Sequence, residues 1–396
     1  MRGKVLAGIV ALAATVGIAA TVSAATTTTI ALNQTPCIAY FAHQHITGKC
    51  TGTLVPNPTP TPVPTATPTP TATPTPTPTP PTPVPTPTPV AGCTGSPLTS
   101  QSQVQPNTSY CGGHATSRIV LANGDTWTNG EVSGASSGQQ QGAVQCGSPC
   151  HLVNMNIHDN LSAFAGVYMP GSGAGPVSVT GGRITNSGSL GIGGSGVSNL
   201  TVSGVEIDHN GSKASCGFEG GGFKGVNQHA RFTGNNVHDN NCVGVWFDIN
   251  SASVEIDHNA VTNNADEGIF YEISQDASIH DNVVKGNGFQ TNGPGSCVWQ
   301  WGGGIGIASS FNVVVANNTL VGNCNGIVES QQNRTDSTPP AHLLQNVSVT
   351  NNSVSGPGVV DRTGAAADNG ANLSTRGLTF SGNTFSNGAS FCGISC

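Results

Sequence analysis

The chain has 396 residues, of which only 8% are charged, and its 12 Lys and Arg against 19 Asp and Glu give a formal net charge of −7. Two of the basic residues, Arg2 and Lys4, stand at the very start of the chain. This composition argues against a nucleic-acid-binding function, because phosphate neutralisation requires clustered Lys and Arg.

A secretory signal peptide is predicted for residues 1–24. The basic start is followed by an apolar run from Val5 to Val22, and Val22-Ser23-Ala24 has the small residues of a cleavage site. The alternative is an uncleaved membrane anchor, because the run approaches the roughly 20 residues that a spanning helix needs. We expect cleavage, since Ala and Gly make the run only weakly hydrophobic, and we expect membrane contact only if the segment is retained.

Two segments of different character follow: residues 25–55, a short segment with Cys37 and Cys50, and residues 56–91, a Pro/Thr-rich linker. Proline recurs almost every second residue from Pro56 to Pro89, and its missing N–H excludes helices and sheet ladders. At about 3.1 Å per residue in polyproline II, the linker would span roughly 100 Å. Such a spacer fits a protein held at a cell wall or on an insoluble substrate.

The 12 cysteines predict an oxidising, extracellular compartment, because they are even in number and lie in neighbouring pairs. The sequence has no CxxC pairs and no Cys/His cluster at zinc spacing, which argues against thiolate-bound metal. Proximity suggests the disulfides Cys37–Cys50, Cys93–Cys111, Cys146–Cys150, Cys216–Cys242, Cys297–Cys324 and Cys392–Cys396.

Residues 92–396 repeat a short phrase, an aliphatic or aromatic residue followed by small polar residues. Copies at Val237, Val261 and Val284 are 24 and 23 residues apart, and longer intervals are those that insertions into a coil produce. The pattern predicts a β solenoid of about nine or more rungs. The copies begin at Ile157, Ile184, Ile207, Val237, Val261, Val284, Leu320, Val354 and Phe385.

An asparagine stands two residues before six of these phrases. In a coil of β-strands these side chains would stack at the strand spacing of about 4.8 Å, each amide bonding to the next. We interpret them as a structural ladder that closes one corner. They are Asn235, Asn259, Asn282, Asn318, Asn352 and Asn383.

With these phrases, this asparagine column and this rung length, residues 152–386 resemble the secreted bacterial right-handed parallel β-helix proteins of the pectate-lyase-like superfamily. The resemblance implies an all-β fold, a right-handed parallel β-helix. It does not fix the activity, because the superfamily includes lyases, hydrolases, epimerases and adhesins.

Two related stretches, GVWFDIN at 244–250 and GIFYEIS at 268–274, place carboxylates among apolar residues. Alternation along a strand points successive side chains to opposite sides. This phase predicts that Val245, Phe247, Ile249, Ile269, Tyr271 and Ile273 face inward, and that Trp246, Asp248, Asn250, Phe270 and Glu272 face outward.

A step of 24 residues back from Asp248 reaches Lys224, so Lys224, Asp248 and Glu272 are predicted to form one exposed column. The aromatic residues Trp246 and Phe270 would lie beside this column. Exposed aromatics next to hydrogen-bonding acids suit sugars, and the alternative is a surface salt-bridge ladder whose aromatics are shielded by insertions.

Two insertions, SKASCGFEGGG before Lys224 and GFQTNGPGSCVWQWGGG after Glu272, would wall a groove along this column. They add one candidate acid, Glu219, and the candidate sugar-binding residues Trp299 and Trp301. Gln331 and Arg334 are further candidates for substrate binding. The histidines, which occur mostly in HDN and DHN phrases, are interpreted as structural turn residues.

Three functions fit these residues. A polysaccharide lyase would use Lys224 as base and Asp248 with Glu272 as calcium ligands, although neighbouring carboxylates favour the charged lysine. A glycoside hydrolase would use Asp248 and Glu272 about 5 Å apart, or Glu219 in a longer pair. The third is a non-catalytic glycan-binding or cell-surface structural protein.

The sequence therefore predicts a secreted, extracellular or cell-wall-associated monomer that cleaves or binds a polysaccharide. Calcium is the only cofactor that the residues suggest, and only for the lyase.

Overall fold

The computed structural model describes residues 29–30, 49–50, 89–171, 175–214, 216, 218–289, 297–333, 342–356, 362–368, 370–394 and 396. The chain divides into two compact units, Met1–Val84 and Pro85–Cys396. In the first, the strands β1 (Thr29–Ile30) and β2 (Lys49–Cys50) pair in parallel. The predicted signal peptide, Cys37 and residues 56–88 of the predicted linker lie outside the described residues.

The second unit consists of short parallel strands. Its described helical elements are two 3₁₀ helices, Gln101–Gln103 and Leu373–Thr375. No helix in the described ranges is long and apolar enough to cross a membrane. The strands are β3 (Ser109–Cys111), β4 (His114–Ala115), β5 (Ile119–Leu121), β6 (Asp125–Thr128), β7 (Glu131–Ser133), β8 (Gly142–Cys146), β9 (Cys150–His158), β10 (Ala165–Pro170), β11 (Val177–Thr185), β12 (Leu190–Ser195), β13 (Leu200–Ser203), β14 (Glu206–Asp208), β15 (Gly221–Val226), β16 (Ala230–Thr233), β17 (Asn236–His238), β18 (Val243–Asp248), β19 (Val254–Asp257), β20 (Ala260–Thr262), β21 (Ile269–Glu272), β22 (Gln275–His280), β23 (Val283–Lys285), β24 (Gly303–Ala308), β25 (Phe311–Ala316), β26 (Thr319–Val321), β27 (Asn325–Gln331), β28 (Gln345–Thr350), β29 (Ser353–Ser355), β30 (Arg362–Ala367), β31 (Thr379–Ser381), β32 (Thr384–Ser386) and β33 (Ser390–Ile394).

These strands stack into three parallel faces. The third face is an 11-stranded sheet of β5, β8, β10, β12, β15, β18, β21, β24, β27, β30 and β33. The first face runs from β3 through β16 and β19 to β31, and the second from β4 through β17 and β20 to β32, while the long strands β9 and β11 cross both. Each rung visits the three faces in turn. The predicted parallel β-helix is therefore confirmed.

The repeated phrases form one column on the second face. Val237 pairs with Val261, and Val261 with Val284. The column begins two rungs before Ile157, earlier than the sequence suggested. Val132 pairs with Ile157, and Ala115 pairs with Val132. It contains all nine predicted phrase starts, in the order Ile157, Ile184, Ile207, Val237, Val261, Val284, Leu320, Val354 and Phe385.

The predicted asparagine ladder closes the corner between the first and second faces. The Nδ2 of Asn235 donates to the Oδ1 of Asn259 at 3.0 Å, and Asn259 donates to Asn282 at 2.9 Å. The ladder continues through Asn318 and Asn352 to Asn383. Each amide oxygen also accepts a backbone N–H of the preceding rung, so the stack binds rung to rung at this corner.

A second asparagine ladder, which the sequence reading missed, closes the corner between the second and third faces. Asn240 donates to Asn264 at 2.9 Å, and Asn264 donates to Asn287 at 3.0 Å. Its members are the last letter of the repeated phrase, so the signal was present in phrases such as VHDN and VTNN. The ladder comprises Asn210, Asn240, Asn264, Asn287 and Asn323.

The glycine that opens the stretches GVWFDIN and GIFYEIS lets the chain pass this second ladder. A Cβ on Gly244 would lie 2.6 Å from the carbonyl oxygen of Gly268 and 2.7 Å from Nδ2 of Asn264. Both separations are too short for a carbon, so a larger residue would displace either the strand or the ladder.

Hydroxyl groups close the corner between the third and first faces. The backbone N–H of Gln228 donates to Oγ of Ser251 at 3.1 Å, that of Ser251 to Ser274 at 3.2 Å, and that of Ser274 to Ser310 at 3.0 Å. All three corners of the coil therefore carry side-chain ladders that fix the register of the faces.

The lumen of the coil is filled by apolar side chains. Val245, Phe247, Ile269 and Tyr271 face inward, as predicted. The prediction was wrong for Ile249, which is 42% exposed. The strand ends at Asp248 and Ile249 has a positive φ of 39°, so alternation no longer holds there.

One carboxyl group lies inside this apolar lumen. Glu329 is fully buried and pairs across the sheet with Ile307, which itself pairs with Tyr271. Neither carboxyl oxygen has a hydrogen-bond partner among the described residues. Burial raises the pKa of Glu329 well above its ordinary value of 4.5, so the neutral acid is the form that the fold accommodates.

Replacing Asn259 by Ala should destabilise the coil. The change leaves the side-chain and backbone N–H groups of Asn235 without their acceptor, a loss of roughly 1–3 kcal/mol in the free energy of unfolding, measured by chemical denaturation. The exposed neighbour Asn236 supplies the control, because Asn236→Ala should change stability by less than about 0.5 kcal/mol. Equal effects of both changes would contradict the ladder's role.

Replacing Glu329 by Met should raise the free energy of unfolding at neutral pH by about 1–3 kcal/mol, because it removes a buried carboxyl group that has no hydrogen-bond partner among the described residues. Because the pKa is raised by folding, the stability linked to this group is complete below pH 4.5 and is lost as the pH rises. In the parent protein, this titration lowers the free energy of unfolding by up to about 1.4 kcal/mol for each unit of rising pH. The variant lacks the carboxyl group and should not show this decrease. Denaturation curves at several pH values measure it, and an unchanged slope would show that Glu329 does not titrate as inferred.

Candidate functional site

Lys224 lies on the outward side of the third face, but not where the 24-residue step predicted. It pairs with Trp246, whereas Val226 pairs with Asp248. The chain needs three residues (227–229) to pass from β15 to β16 and five (249–253) from β18 to β19, so this rung is two residues shorter. Between β18 and β21 the 24-residue step does hold, because Trp246 pairs with Phe270. The predicted single column is therefore wrong at Lys224.

Lys224 nevertheless reaches Asp248 diagonally, with 3.2 Å between Nζ and Oδ2. Its Nζ also lies 3.5 Å from the ring centroid of Trp246 and donates to the carbonyl oxygen of Phe218. We call Glu219, Lys224, Trp246 and Asp248 the Lys224 cluster.

The predicted exposure of this column was also wrong. The side chains of Lys224 and Asp248 are only 7% and 6% exposed, and Glu272 is buried as well. A buried ion pair requires close geometry and further hydrogen bonds to offset desolvation. The ring of Trp246, the carbonyl of Phe218 and the backbone N–H of Ile249, which donates to Asp248 at 2.8 Å, provide these contacts.

Trp246 and Phe270 form a tilted pair with ring centroids 5.6 Å apart. They pack with Val243 and Ala308, and Trp301 packs against them from the second insertion. Both rings are buried, so the predicted open platform is covered. The Nε1 of Trp246 is buried without a hydrogen-bond partner among the described residues.

Two disulfides fasten the inserted loops beside these residues. Cys216–Cys242 holds the loop that contains Phe218 and Glu219, and Cys297–Cys324 holds the loop that contains Trp301. The predicted pairs Cys93–Cys111, Cys146–Cys150 and Cys392–Cys396 are also formed. These disulfides indicate an oxidising compartment.

Glu219 stands at the partly open edge of the cluster. Its pKa is raised, first by burial and then by the charge of Asp248, while Lys224 acts in the opposite direction. The pKa of Tyr168 is raised by burial and by the charge of Glu219, which places this tyrosine in the same electrostatic environment. Tyr168 pairs with Gly193 across the sheet, and Gly193 pairs with Lys224 on the next rung. No motif in the sequence pointed to Tyr168.

Glu272 occupies the position one rung beyond Asp248. One of its carboxyl oxygens accepts a hydrogen bond from Nε2 of Gln332 at 2.8 Å. His342 approaches the same end of the strands, with Nε2 lying 3.3 Å from Oδ1 of Asn250. The segments around 332 and 342 thus contact the acidic end of the third face, a neighbourhood that spacing along the sequence could not reveal.

Glu267 is another carboxyl group with a raised pKa, and it lies near the aromatic pair. Its pKa is raised well above the ordinary range by burial and by the neighbouring Asp266. It accepts the backbone N–H of Gly302 at 3.0 Å and so anchors the loop with Trp301. The sequence reading overlooked it because it precedes the strand β21 and lies outside the alternating pattern.

Trp299 and Gln331, two further predicted sugar-binding residues, have partners outside the Lys224 cluster. Trp299 stacks with Arg362, whose Cζ lies 4.5 Å from the ring centroid. Gln331 is buried, and its amide bonds Oγ of Ser309 and the backbone of Leu344. Arg334 lies outside the described residues.

The predicted calcium ligands Asp248 and Glu272 are already engaged by Lys224 and Gln332. Among the described residues, the group that could hold a metal is Glu206, Asp208 and His238, whose ligand atoms lie within 4.8 Å of one another on the second face. Asp208 there is already bound by Arg183 at 2.6 Å. The calcium hypothesis therefore stays a prediction of the sequence alone.

A shallow groove of about 400 Å³ also borders Glu206, between glycine turns of the first and second faces. Glycines, Val205 and two asparagines make up the rest of its lining, so Glu206 is the one titratable group that lines it among the described residues. The charges and the aromatic ring of the Lys224 cluster make that cluster the stronger candidate site.

The pKa of Glu219 should respond in opposite directions to its two charged neighbours. Asp248→Asn removes a charge that raises this pKa and should lower it, whereas Lys224→Met removes a charge that lowers it and should raise it. NMR titration of the Glu219 carboxyl carbon measures both shifts. Glu255→Gln, on the first face, is the control and should leave the titration unchanged; shifts of the same sign in both cluster variants would disprove the arrangement.

A search of curated proteins finds no significant match. Among solved structures, the mannuronan C-5 epimerase AlgE4 A-module of Azotobacter vinelandii is 13% identical with a TM-score of 0.47, and covers 76% of this chain and 96% of that chain. The endo-xylogalacturonan hydrolase of Aspergillus tubingensis is 14% identical with a TM-score of 0.43, over 75% and 94% of the two chains.

The sequence itself matches one family profile, described as the right handed beta helix region, over residues 118–279 and 215–339. Together these matches span more than half of the chain, and they include the Lys224 cluster and all of the asparagine ladders except Asn352 and Asn383. The distant solved structures add no information about chemistry. The chain therefore belongs to the right-handed β-helix family.

Proposed function

We propose that the protein is a secreted glycoside hydrolase that acts on a polysaccharide at the Lys224 cluster. The observation that carries this proposal is a pair of carboxyl groups in different environments around one ammonium group. Burial raises the pKa of Glu219, whereas Asp248 is ion-paired with Lys224 at 3.2 Å. Glycoside hydrolysis needs one protonated acid and one carboxylate in this way.

The roles follow from these environments. Glu219, partly exposed and with a raised pKa, donates a proton to the leaving glycosidic oxygen. Asp248 acts as the carboxylate, either on a water molecule or on the sugar, according to the separation of the two carboxyl groups. Lys224 holds Asp248 in place through their ion pair, and is a positioning residue.

The contacts of Lys224 favour hydrolysis over elimination. A lyase would require a neutral amine whose lone pair faces the substrate. The Nζ of Lys224 instead meets the carboxylate of Asp248, the ring face of Trp246 and a carbonyl oxygen, all of which stabilise an ammonium group.

A non-catalytic role is the second candidate, because most of the Lys224 cluster is buried and a catalytic group must reach its substrate. Lys224, Trp246 and Asp248 are each less than a tenth exposed, and their contacts tie the disulfide-bonded loop to the coil. The same ion pair could serve only to hold that loop while the protein binds a glycan or contributes to a cell surface.

Secretion completes the proposal. The disulfides of the described residues fit an extracellular environment, and the predicted signal peptide and Pro/Thr linker would deliver the coil outside the cell and hold it away from an attachment point. Residues 25–55 would form that attachment.

Glu219→Gln should lower the rate of polysaccharide cleavage by at least about 100-fold, because the general acid is removed. The measurement is the release of reducing ends without the ultraviolet absorbance of an unsaturated product. The variant should stay folded, because Glu219 is partly exposed, and melting temperature serves as the check.

The matched control is Glu255→Gln, which removes one carboxylate from the first face, where its side chain is 42% exposed. It should cleave at the parent rate. Parent protein that cleaves no polysaccharide would favour the binding role, and ultraviolet-absorbing products would favour a lyase.

A further inference from the structure

We propose that His158 and His280 are protonated bridges between carboxylates of successive rungs, so that the coil is most stable in a mildly acidic medium. Both histidines end a strand, β9 on the second face and β22 on the first, and both stand in the phrase IHDN. The Lys224 cluster lies on the third face, so the bridges are independent of the proposed function.

Each ring nitrogen of His158 faces a carboxylate. Nδ1 lies 2.9 Å from Oδ2 of Asp159, the next residue in the chain, and Nε2 lies 2.9 Å from Oε1 of Glu131 on the preceding rung. A neutral imidazole has one donor and one acceptor nitrogen, whereas the imidazolium ion has two donors. Ionised carboxylates only accept hydrogen bonds, so the protonated ring is the form that makes both contacts.

His280 repeats this arrangement on the first face. Its Nδ1 lies 2.8 Å from Oδ2 of Asp281, and its Nε2 lies 3.4 Å from Oε1 of Glu255 on the preceding rung. The aspartate that follows each histidine has a positive φ, 53° at Asp159 and 54° at Asp281, which is the turn conformation of this phrase. The two rings are 25% and 23% exposed, which limits screening of the bridges by salt.

The charged neighbours of His158 favour the imidazolium ion. Beyond the two carboxylates, His114 on β4 lies 3.8 Å from Oε1 of Glu131, and Arg183 on β11 acts by its charge on Asp159. Burial opposes a charged ring and is the largest single effect on the pKa of His158. The hydrogen bonds and charges of Asp159 and Glu131 outweigh it, so this pKa is raised above its ordinary value of 6.5.

The surroundings of His280 act in the same direction. Burial is again the largest effect and lowers its pKa, but hydrogen bonds to Asp281 and Glu255 and the charges of Asp281 and Asp257 raise it above 6.5 overall. The following strand β25 has no charged residue. The charged or titratable groups that face this ring from the preceding rungs are Glu255, Asp257, His258 and Arg231.

These bridges make the stability of the coil depend on pH. A histidine whose pKa is raised by folding stabilises the protein fully below the unfolded value of about 6.5, and this contribution is lost as the pH rises through the folded value. Loss of the proton turns one ring nitrogen into an acceptor that faces a carboxylate. Because the carboxylates themselves become protonated near about pH 4, the bridges are complete between about pH 4 and about pH 6.5.

NMR titration of the histidine ring carbons in the full chain measures the bridges. The titration midpoints of His158 and His280 should both lie above 6.5. Glu131→Gln should lower the midpoint of His158 alone, and Asp281→Asn that of His280 alone, because each change removes one carboxylate from one ring. Midpoints at or below 6.5 in the parent protein would overturn the proposal.

Chemical denaturation at several pH values measures the consequence for stability. Each bridging histidine should increase the unfolding equilibrium constant by up to about tenfold per unit of rising pH. In the double variant His158→Gln with His280→Gln, the increase between about pH 6 and about pH 8 should be at least about threefold smaller than in the parent. Glu329 acts in the same direction but is present in both proteins, so the difference between them belongs to the histidines.

The matched control is His151→Gln. Nδ1 of His151 lies 2.8 Å from a hydroxyl group, Oγ of Ser178, instead of a carboxylate. This variant should keep the pH dependence of the parent. An equal increase of the unfolding constant in the parent and the double variant would refute the bridges, and so would an equal loss of pH dependence in His151→Gln.

Discussion

Register between rungs is the constraint on which the rest of this molecule depends. Parallel strands of two to nine residues offer few backbone hydrogen bonds each, so the corners must prevent the rungs from slipping. Here buried amides and hydroxyls supply that restraint, and each asparagine, as in the step from Asn259 to Asn282, binds both the side chain and the backbone of the neighbouring rung. A slip by one residue would break these bonds and turn every inward side chain outward.

The same restraint determines how the candidate site is assembled. The third corner is two residues shorter after β15 than after β18. Lys224 therefore lies opposite Trp246, and Asp248 lies two residues further along the same strand. The lysine can then lie across the indole ring and reach the carboxylate beyond it. Had the 24-residue spacing continued, the ammonium and carboxylate would have been direct neighbours and the ring face would have lacked a cation.

Most of the fold could be predicted from the sequence, because each rung repeats the same local requirements. The phrase starts and the ladder from Asn235 to Asn383 recur at the spacing of one turn of the coil. The inward positions Phe247 and Tyr271 follow from alternation, which holds inside a strand. Alternation failed at Ile249, because the strand ends one residue earlier and the backbone enters the left-handed region.

The site was less predictable, because its neighbours come from loops. The sequence identified Lys224, Asp248, Glu272 and the aromatic pair, and the alternation correctly turned them away from the lumen. It could not show that inserted segments cover them, or that Gln332 binds Glu272 across 60 residues of chain. Contacts of this kind depend on where a loop folds back, which no repeat in the sequence encodes.

Three glutamates among the described residues have a raised pKa for one main reason, burial, yet they differ in what they can do. Glu329 lies in the lumen without a hydrogen-bond partner in the described part of the chain, and its burial keeps substrates away from it. Glu267 shares its environment with Asp266 and holds the backbone of Gly302, which commits it to the loop. Glu219 alone among the three is partly exposed, and its pKa is affected by the charges of both Lys224 and Asp248. A carboxyl group that is accessible, has a pKa raised by burial and is electrostatically coupled to an ion-paired carboxylate suits acid catalysis, and this combination distinguishes Glu219 from the two structural acids.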